Sequence, residues 1–440
     1  MTEYFLLACA AVLTAGYVGS LICFLRRDGP SFRTGMLLGV LYLVFPPLWV
    51  MLVTGRLRVL TPFAGTALRD AMLDQYLPEI TVLLLYLAAI LAALLLSAVI
   101  GRSRAGASDA IEPVSCDWLI YLIGYLAVTF GFALVSGAFR GGHWYQSRAS
   151  FLRESSAGAF FPFTAWALRF LIVGCVAARV AGRRWSWGKG LAVLALVSGV
   201  ELMFVGNRVF ILMAVAVTAL VVAWRSGLVA LLWFGIAAAP IGYAMVVYQE
   251  IRAMLFSASA SDIAATVRDS AGTPVKTFED YVLSVTESIN INVVLQAFHD
   301  FGQRFDFLHG ATLAKIFLVW IPRGVWPDKP LPITEYAGAA FGPNANVALV
   351  TTIIGEFHMN FGWLALAVLP SFLFVVCLIA RPLEDNPVRR YVLTAFGFLI
   401  VRLPVSDMML AVLIALVGYR LLAELTKRRL PQPVGHVAFD

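Results

Sequence analysis

The stretch ITVLLLYLAAILAALLLSAVI, residues 80 to 100, decides the fold. Its 21 positions carry no charge, and only a threonine, a tyrosine and a serine interrupt the apolar side chains. At about 1.5 Å per residue a helix of this length reaches about 31 Å, enough to cross a bilayer's hydrocarbon core. A membrane strand needs only about ten residues and alternates in polarity, and this stretch does neither. A helix also satisfies its own backbone in lipid, which an isolated strand cannot do. Outward from this segment, comparable apolar runs predict spans near 4–24, 35–54, 79–100, 118–138, 160–180, 190–206, 209–224, 228–249, 360–380, 391–403 and 408–425. The expectation is an all-α polytopic membrane protein with about eleven transmembrane helices.

Composition agrees. Of 440 residues 60% are hydrophobic and 13% charged, with a mean hydropathy of +0.84, against about 25% charged in soluble domains. The net charge of +7 comes from loop arginines, and no basic run interleaved with aromatics suggests a nucleic-acid partner. Cys9, Cys23, Cys175 and Cys377 fall in apolar spans and Cys116 in a short polar connection, with no CxxC and no metal spacing. Neither a metal nor a cofactor is expected. The first apolar run lacks a basic leader and continues into FLRRDGPSFR, 24–33, with no small-residue cleavage site, so it reads as a span.

If the spans alternate, Arg26, Arg27, Arg33, Arg102, Arg104, Arg183, Arg184, Lys189, Arg225, Arg381, Arg389, Arg390 and Lys427 to Arg429 share one side, which the positive-inside rule makes cytoplasmic. The N-terminus is then outside, the C-terminus inside, and the long loops face outward. Three regions follow: a bundle of about eight helices at 1–249, a large outer loop at 250–359, and C-terminal membrane helices at 360–440. Within the loop, YVLSVTESININVVLQAF (281–298) and ATLAKIFLVWI (311–321) are too apolar for a solvated tail and predict short amphipathic helices lying over the bundle.

The outward side nonetheless carries arginines: Arg148 and Arg153 in HWYQSRASFLRE, Arg208 in FVGNRVF, Arg402 in LIVRLPVSD, and Arg323 with Lys329 in IPRGVWPDKP. An anionic ligand explains such a set most simply, since guanidinium binds phosphate oxygens in bidentate fashion. Pro322, Pro327 and Pro330 suit a rigid turn that fixes Arg323 and Lys329. Arg169 and Glu201 lie inside predicted spans, where an ionisable side chain costs at least about 2.5 kcal/mol unless paired or hydrated. Either a structural ion pair or a place in the site accounts for them. GEFHMNFG, 355–362, puts Glu356 and Asn360 on one helix face with His358 nearby, and HDFGQRFDFLHG, 299–310, adds His299, Asp300, Asp306 and His309. Either stretch could supply a general base, with Glu356 and His358 the foremost candidates.

In this order, GNR (206–208), HGATLAKIFLVWIPRGVWPDKP (309–330), TTIIGEFHMNFGWLAL (351–366) and VRLPVSD (401–407) resemble the bacterial oligosaccharide repeat-unit polymerases, the Wzy-type enzymes of O-antigen and exopolysaccharide synthesis. The resemblance implies a metal-independent glycosyltransferase of the GT-C type in the bacterial inner membrane, working at its periplasmic face. It also implies an undecaprenyl-diphosphate-linked oligosaccharide as substrate, and a flippase and a chain-length regulator as companions. Arg208, Arg323, Lys329 and Arg402 would then bind the diphosphate, and Glu356 or His358 would serve the acceptor hydroxyl. Arg148, Arg153, Arg169, His309 and Asn360 would be further substrate contacts. Three rivals stand beside this reading: an O-antigen ligase using the same donor; a GT-C enzyme with paired acids in the first outer loop, where Asp70 and Asp74 lie; and a transporter of lipid-linked saccharide. A transporter would show internal repeats and polar groups near the midplane; the halves show no convincing repeat, and the ionisable groups cluster toward one face.

Overall fold

The computed structural model describes residues 2–58, 70–100, 118–136, 160–202, 208–254, 277–318, 321, 326, 329–342 and 349–429. Helices α1 (Thr2–Asp28), α2 (Phe32–Leu43) and α3 (Phe45–Thr54) open the chain. Pro46 and Pro47 begin α3, so what reads as one apolar run is bent at Val44. A two-stranded antiparallel ribbon of β1 (Arg56–Arg58) and β2 (Asp70–Met72) precedes α4 (Leu77–Ile100). Then come α5 (Trp118–Val135), α6 (Phe160–Ala181), α7 (Trp187–Val200) and α8 (Val209–Met254). Gly227, at φ 83° and ψ 177°, breaks α8 into segments 209–226 and 228–254.

Five short helices follow: α9 (Phe278–Val285), α10 (Ile289–Asp300), α11 (Ala311–Leu318), α12 (Ile333–Phe341) and α13 (Ile353–Phe361). A 3₁₀ turn at Gly362–Leu364 leads into α14 (Ala365–Leu383), and α15 (Pro387–Ile400) and α16 (Val405–Arg429) complete the chain. Helical segments lie within the described part of each stretch read as a span. Among the described residues seven helical stretches, some made of consecutive helices, are long and apolar enough to cross a membrane. Two of the others, α7 and α15, have 14 residues each and reach about 21 Å, short of the roughly 30 Å core. The chain is a helical, multi-pass membrane protein.

The bundle has a dry interior and an apolar outside. On α4, Leu83, Leu87, Ile90 and Leu94 are fully buried while Leu85, Leu96, Val99 and Ile100 are more than half exposed, a surface that lipid, not water, can cover. Polar groups inside are tied across helices: Tyr17 donates to the Leu87 carbonyl at 2.9 Å and Trp49 to Thr14 at 3.1 Å.

The closest helix crossing joins α2 to α15. A Cβ on Gly35 would lie 2.0 Å from the Thr394 carbonyl oxygen, and one on Gly397 would lie 2.1 Å from that of Phe32. Only glycine permits backbones to meet so closely, a packing mode that suits lipid, where no hydrophobic drive presses helices together. At one end of this crossing Glu384 accepts from the Phe32 amide, 2.7 Å, and Arg33 pairs with Asp28, 3.0 Å. Arg26, Arg27, Arg33, Arg381, Arg389 and Arg390 lie at that end, Arg390 Nε donating to the Glu384 carbonyl at 2.9 Å. The opposite ends of α8's first segment and of α15, about 21–26 Å away by helix rise, carry Arg208 and Arg402.

Candidate functional site

Arg208 stands immediately before α8, its carbonyl accepting from the Leu212 amide. Arg402 sits in the tight turn between α15 and α16. Neither helix is the other's sequence neighbour, yet both guanidiniums converge on one carboxylate, Glu287, in the turn between α9 and α10. Arg208 Nε donates to Glu287 Oε1 at 3.0 Å and Arg402 Nε to Oε2 at 2.5 Å. Asn290 Nδ2 donates to Oε2 at 3.2 Å. The three charged residues are buried, each at most 8% exposed.

The turn that offers Glu287 is held from two sides. Tyr42 of α2 donates to the Val285 carbonyl at 3.0 Å, and Ser288 Oγ to that of Arg58 in β1 at 3.2 Å. Glu287 itself adopts φ 55°, a left-handed conformation uncommon for a residue with a Cβ. Burial by itself would raise its carboxyl, but Arg402 and Arg208 outweigh burial and hold it down at about 2. Two guanidiniums around one buried carboxylate put paired cations where an anion already sits, an arrangement suited to binding an anion.

A second polar group adjoins the first. On α13, Glu356 is fully buried, and its Oε2 accepts the Val405 amide that opens α16, at 2.7 Å. Its Oε1 faces Thr312 Oγ1 of α11 at 3.4 Å. Asn360, one turn on, donates to Thr312 Oγ1 at 2.7 Å. The Ile353 amide donates to the Val401 carbonyl at 3.2 Å. Thus α13 grips the Arg402 turn at both of its ends, and Glu356 places a negative charge at the positive end of a helix.

His358 lies elsewhere. Two residues from Glu356 is about 200° around the helix, so its ring points away, into an aromatic cage of Phe298, Phe307, Trp363 and Tyr86 with centroids 4.6–6.3 Å distant. Nδ1 meets the Tyr86 hydroxyl at 3.2 Å and the residue is 2% exposed. His309 occupies an exposed turn before α11 at φ 49°. Lys329 donates from Nζ to the Ile321 carbonyl at 2.9 Å, bridging the proline-rich stretch. Arg169 and Glu201 form an ion pair that the Tyr125 hydroxyl joins, and the Arg169 guanidinium covers the Trp166 ring at 4.6 Å. Arg148, Arg153 and Arg323 lie outside the described residues.

The structure therefore brings Arg208 and Arg402 together, sets Glu356 and Asn360 behind Arg402, and turns His358 elsewhere. Sequence reasoning missed Glu287. Its one signal was to be the sole acidic residue in the 18 positions from 281 to 298. No cluster of three metal-ligating side chains occurs among the described residues. Comparison with known proteins finds no family profile, no curated protein and no solved structure that matches the chain.

Proposed function

We propose that this chain is a lipid-diphosphate-dependent glycosyltransferase that polymerises undecaprenyl-diphosphate-linked oligosaccharide repeat units at the periplasmic face of the bacterial inner membrane. The observation that carries the reading is the convergence of Arg208 and Arg402 on a single anion at one end of the bundle. Arg26, Arg27, Arg33, Arg381, Arg389 and Arg390 lie toward the other end, which agrees with a cytoplasmic face there.

A lipid diphosphate entering from the membrane meets two guanidiniums already oriented by a carboxylate that they grip from two sides. Bidentate N–H contacts suit its oxygens. As the glycosidic bond breaks, negative charge grows on the departing diphosphate oxygen, and fixed cations in a dry site stabilise it without reorganising. Loss of one such group costs about 10²–10³ in rate. Glu356 serves this site by holding the turn that carries Arg402. Lys329 and Arg323, in the proline-rich stretch, supply further cations for the second lipid diphosphate, since polymerisation brings two together.

The test uses purified protein in liposomes with a lipid-linked repeat unit, products being resolved as a ladder. Arg208→Ala and Arg402→Ala are expected to insert and fold, yet leave the single repeat unextended. Wild-type ladders from both variants would refute the proposal.

A further inference from the structure

We infer that Glu287 is the proton acceptor for the attacking sugar hydroxyl, released for that task when a lipid diphosphate takes its place on Arg208 and Arg402. This rests on the function proposed above and adds the base that reading lacks. Glu356 is committed to the Val405 amide and fully buried, and His358 is enclosed by aromatic rings on the other face of α13. Glu287 is the carboxylate that already touches both arginines.

The geometry gives the exchange a physical basis. The backbone at 285–288 is pinned by Tyr42 and by the Ser288 contact to Arg58. The side chain, with three rotatable bonds, can swing without the turn moving. A diphosphate offers more oxygens and more charge than one carboxylate, so it competes well for two guanidiniums. Glu287, displaced, stays tethered beside the two arginines by the pinned turn, placed to serve an acceptor hydroxyl delivered on the diphosphate side of the anomeric carbon.

Displacement also alters its chemistry. While paired, the carboxyl is held at about 2 by Arg402 and Arg208 against the opposing effect of burial, too weak a base to take a hydroxyl proton. With the guanidiniums engaged by phosphate, burial and the neighbouring anion both push the carboxyl upward. The base is thus strengthened by the arrival of substrate. In the step itself the acceptor hydroxyl oxygen forms a bond to the anomeric carbon. The bond from that carbon to the diphosphate oxygen breaks, the electron pair leaves with the lipid diphosphate, and the hydroxyl proton passes to Glu287.

The experiment compares Glu287→Gln, Glu287→Ala, and the double variant Arg208→Ala/Arg402→Ala in liposomes, measuring undecaprenyl diphosphate binding and polymer formation separately. Glu287→Gln is expected to bind at least as tightly as the wild type while its polymerisation falls by about 10²–10⁴, and added formate is expected to restore transfer in Glu287→Ala. A polymerisation rate in Glu287→Gln equal to wild type overturns the inference. So does a loss of binding as large as in the double arginine variant, or a Glu287→Ala protein that is folded by thermal unfolding yet unresponsive to formate. Wild-type binding by the double variant would instead overturn the proposed function itself.

Discussion

Replacing Glu356 separates a structural carboxylate from a catalytic one. It is fully buried and accepts the first amide of α16 at 2.7 Å. In Glu356→Ala that amide loses its partner, at about 1–3 kcal/mol for an unsatisfied buried donor. A charge at a helix N-terminus is lost as well, worth up to about 2 kcal/mol in a partly buried setting. Together these amount to about 1–5 kcal/mol, with the Arg402 turn loosened three residues away. Glu356→Gln keeps an oxygen acceptor and loses only the charge, about 1 kcal/mol. Thermal unfolding in detergent, followed by tryptophan fluorescence, is expected to rank wild type above Glu356→Gln above Glu356→Ala, and polymer formation is expected to survive in the glutamine variant. Two results would refute the reasoning: an unchanged unfolding temperature in Glu356→Ala, or a fully stable Glu356→Gln that makes no polymer, which would mark Glu356 as the base.

Two further outcomes follow from the packing and the charges. Gly397→Val forces a side chain onto the Phe32 carbonyl, 2.1 Å from its Cβ, and is expected to cost at least the 1–3 kcal/mol of ordinary overpacking, whereas Gly131→Ala, with nothing within 4 Å, is expected to leave the unfolding temperature unchanged or slightly higher. Glu287 is held at about 2 against an ordinary 4.5, so its stabilisation, about 3 kcal/mol, is complete above the unfolded value and lost as pH falls from about 4.5 toward 2. Denaturation measured between pH 6 and 3 is expected to show the greater part of that loss in the wild type and none of it in Glu287→Gln.

The longest apolar helices were legible because hydropathy is a local property: 21 uncharged residues at 80–100 can do little else in a membrane. The break at Gly227 was legible too, as Arg225-Ser226-Gly227 separates two apolar runs. The bend at Val44 was not, since hydropathy continues through Pro46 and Pro47 unchanged. For the site, arginines at span ends stood out against the positive-inside bias, which drew attention to Arg208 and Arg402. Their shared partner did not stand out. Glu287 lies 79 positions from the first and 115 from the second, and only the folding of α9 and α10 over the bundle brings it between them. Similarly, the four-residue spacing put Glu356 and Asn360 on one face, but spacing could not tell that the Val405 amide awaits that carboxylate.

The most direct measurement is an experimental structure of the chain in lipid nanodiscs with undecaprenyl diphosphate. Diphosphate oxygens are expected within hydrogen-bond reach of both Arg208 and Arg402, with the Glu287 carboxylate withdrawn from them. A diphosphate bound elsewhere, with the Arg208–Glu287–Arg402 contacts intact, would contradict this expectation.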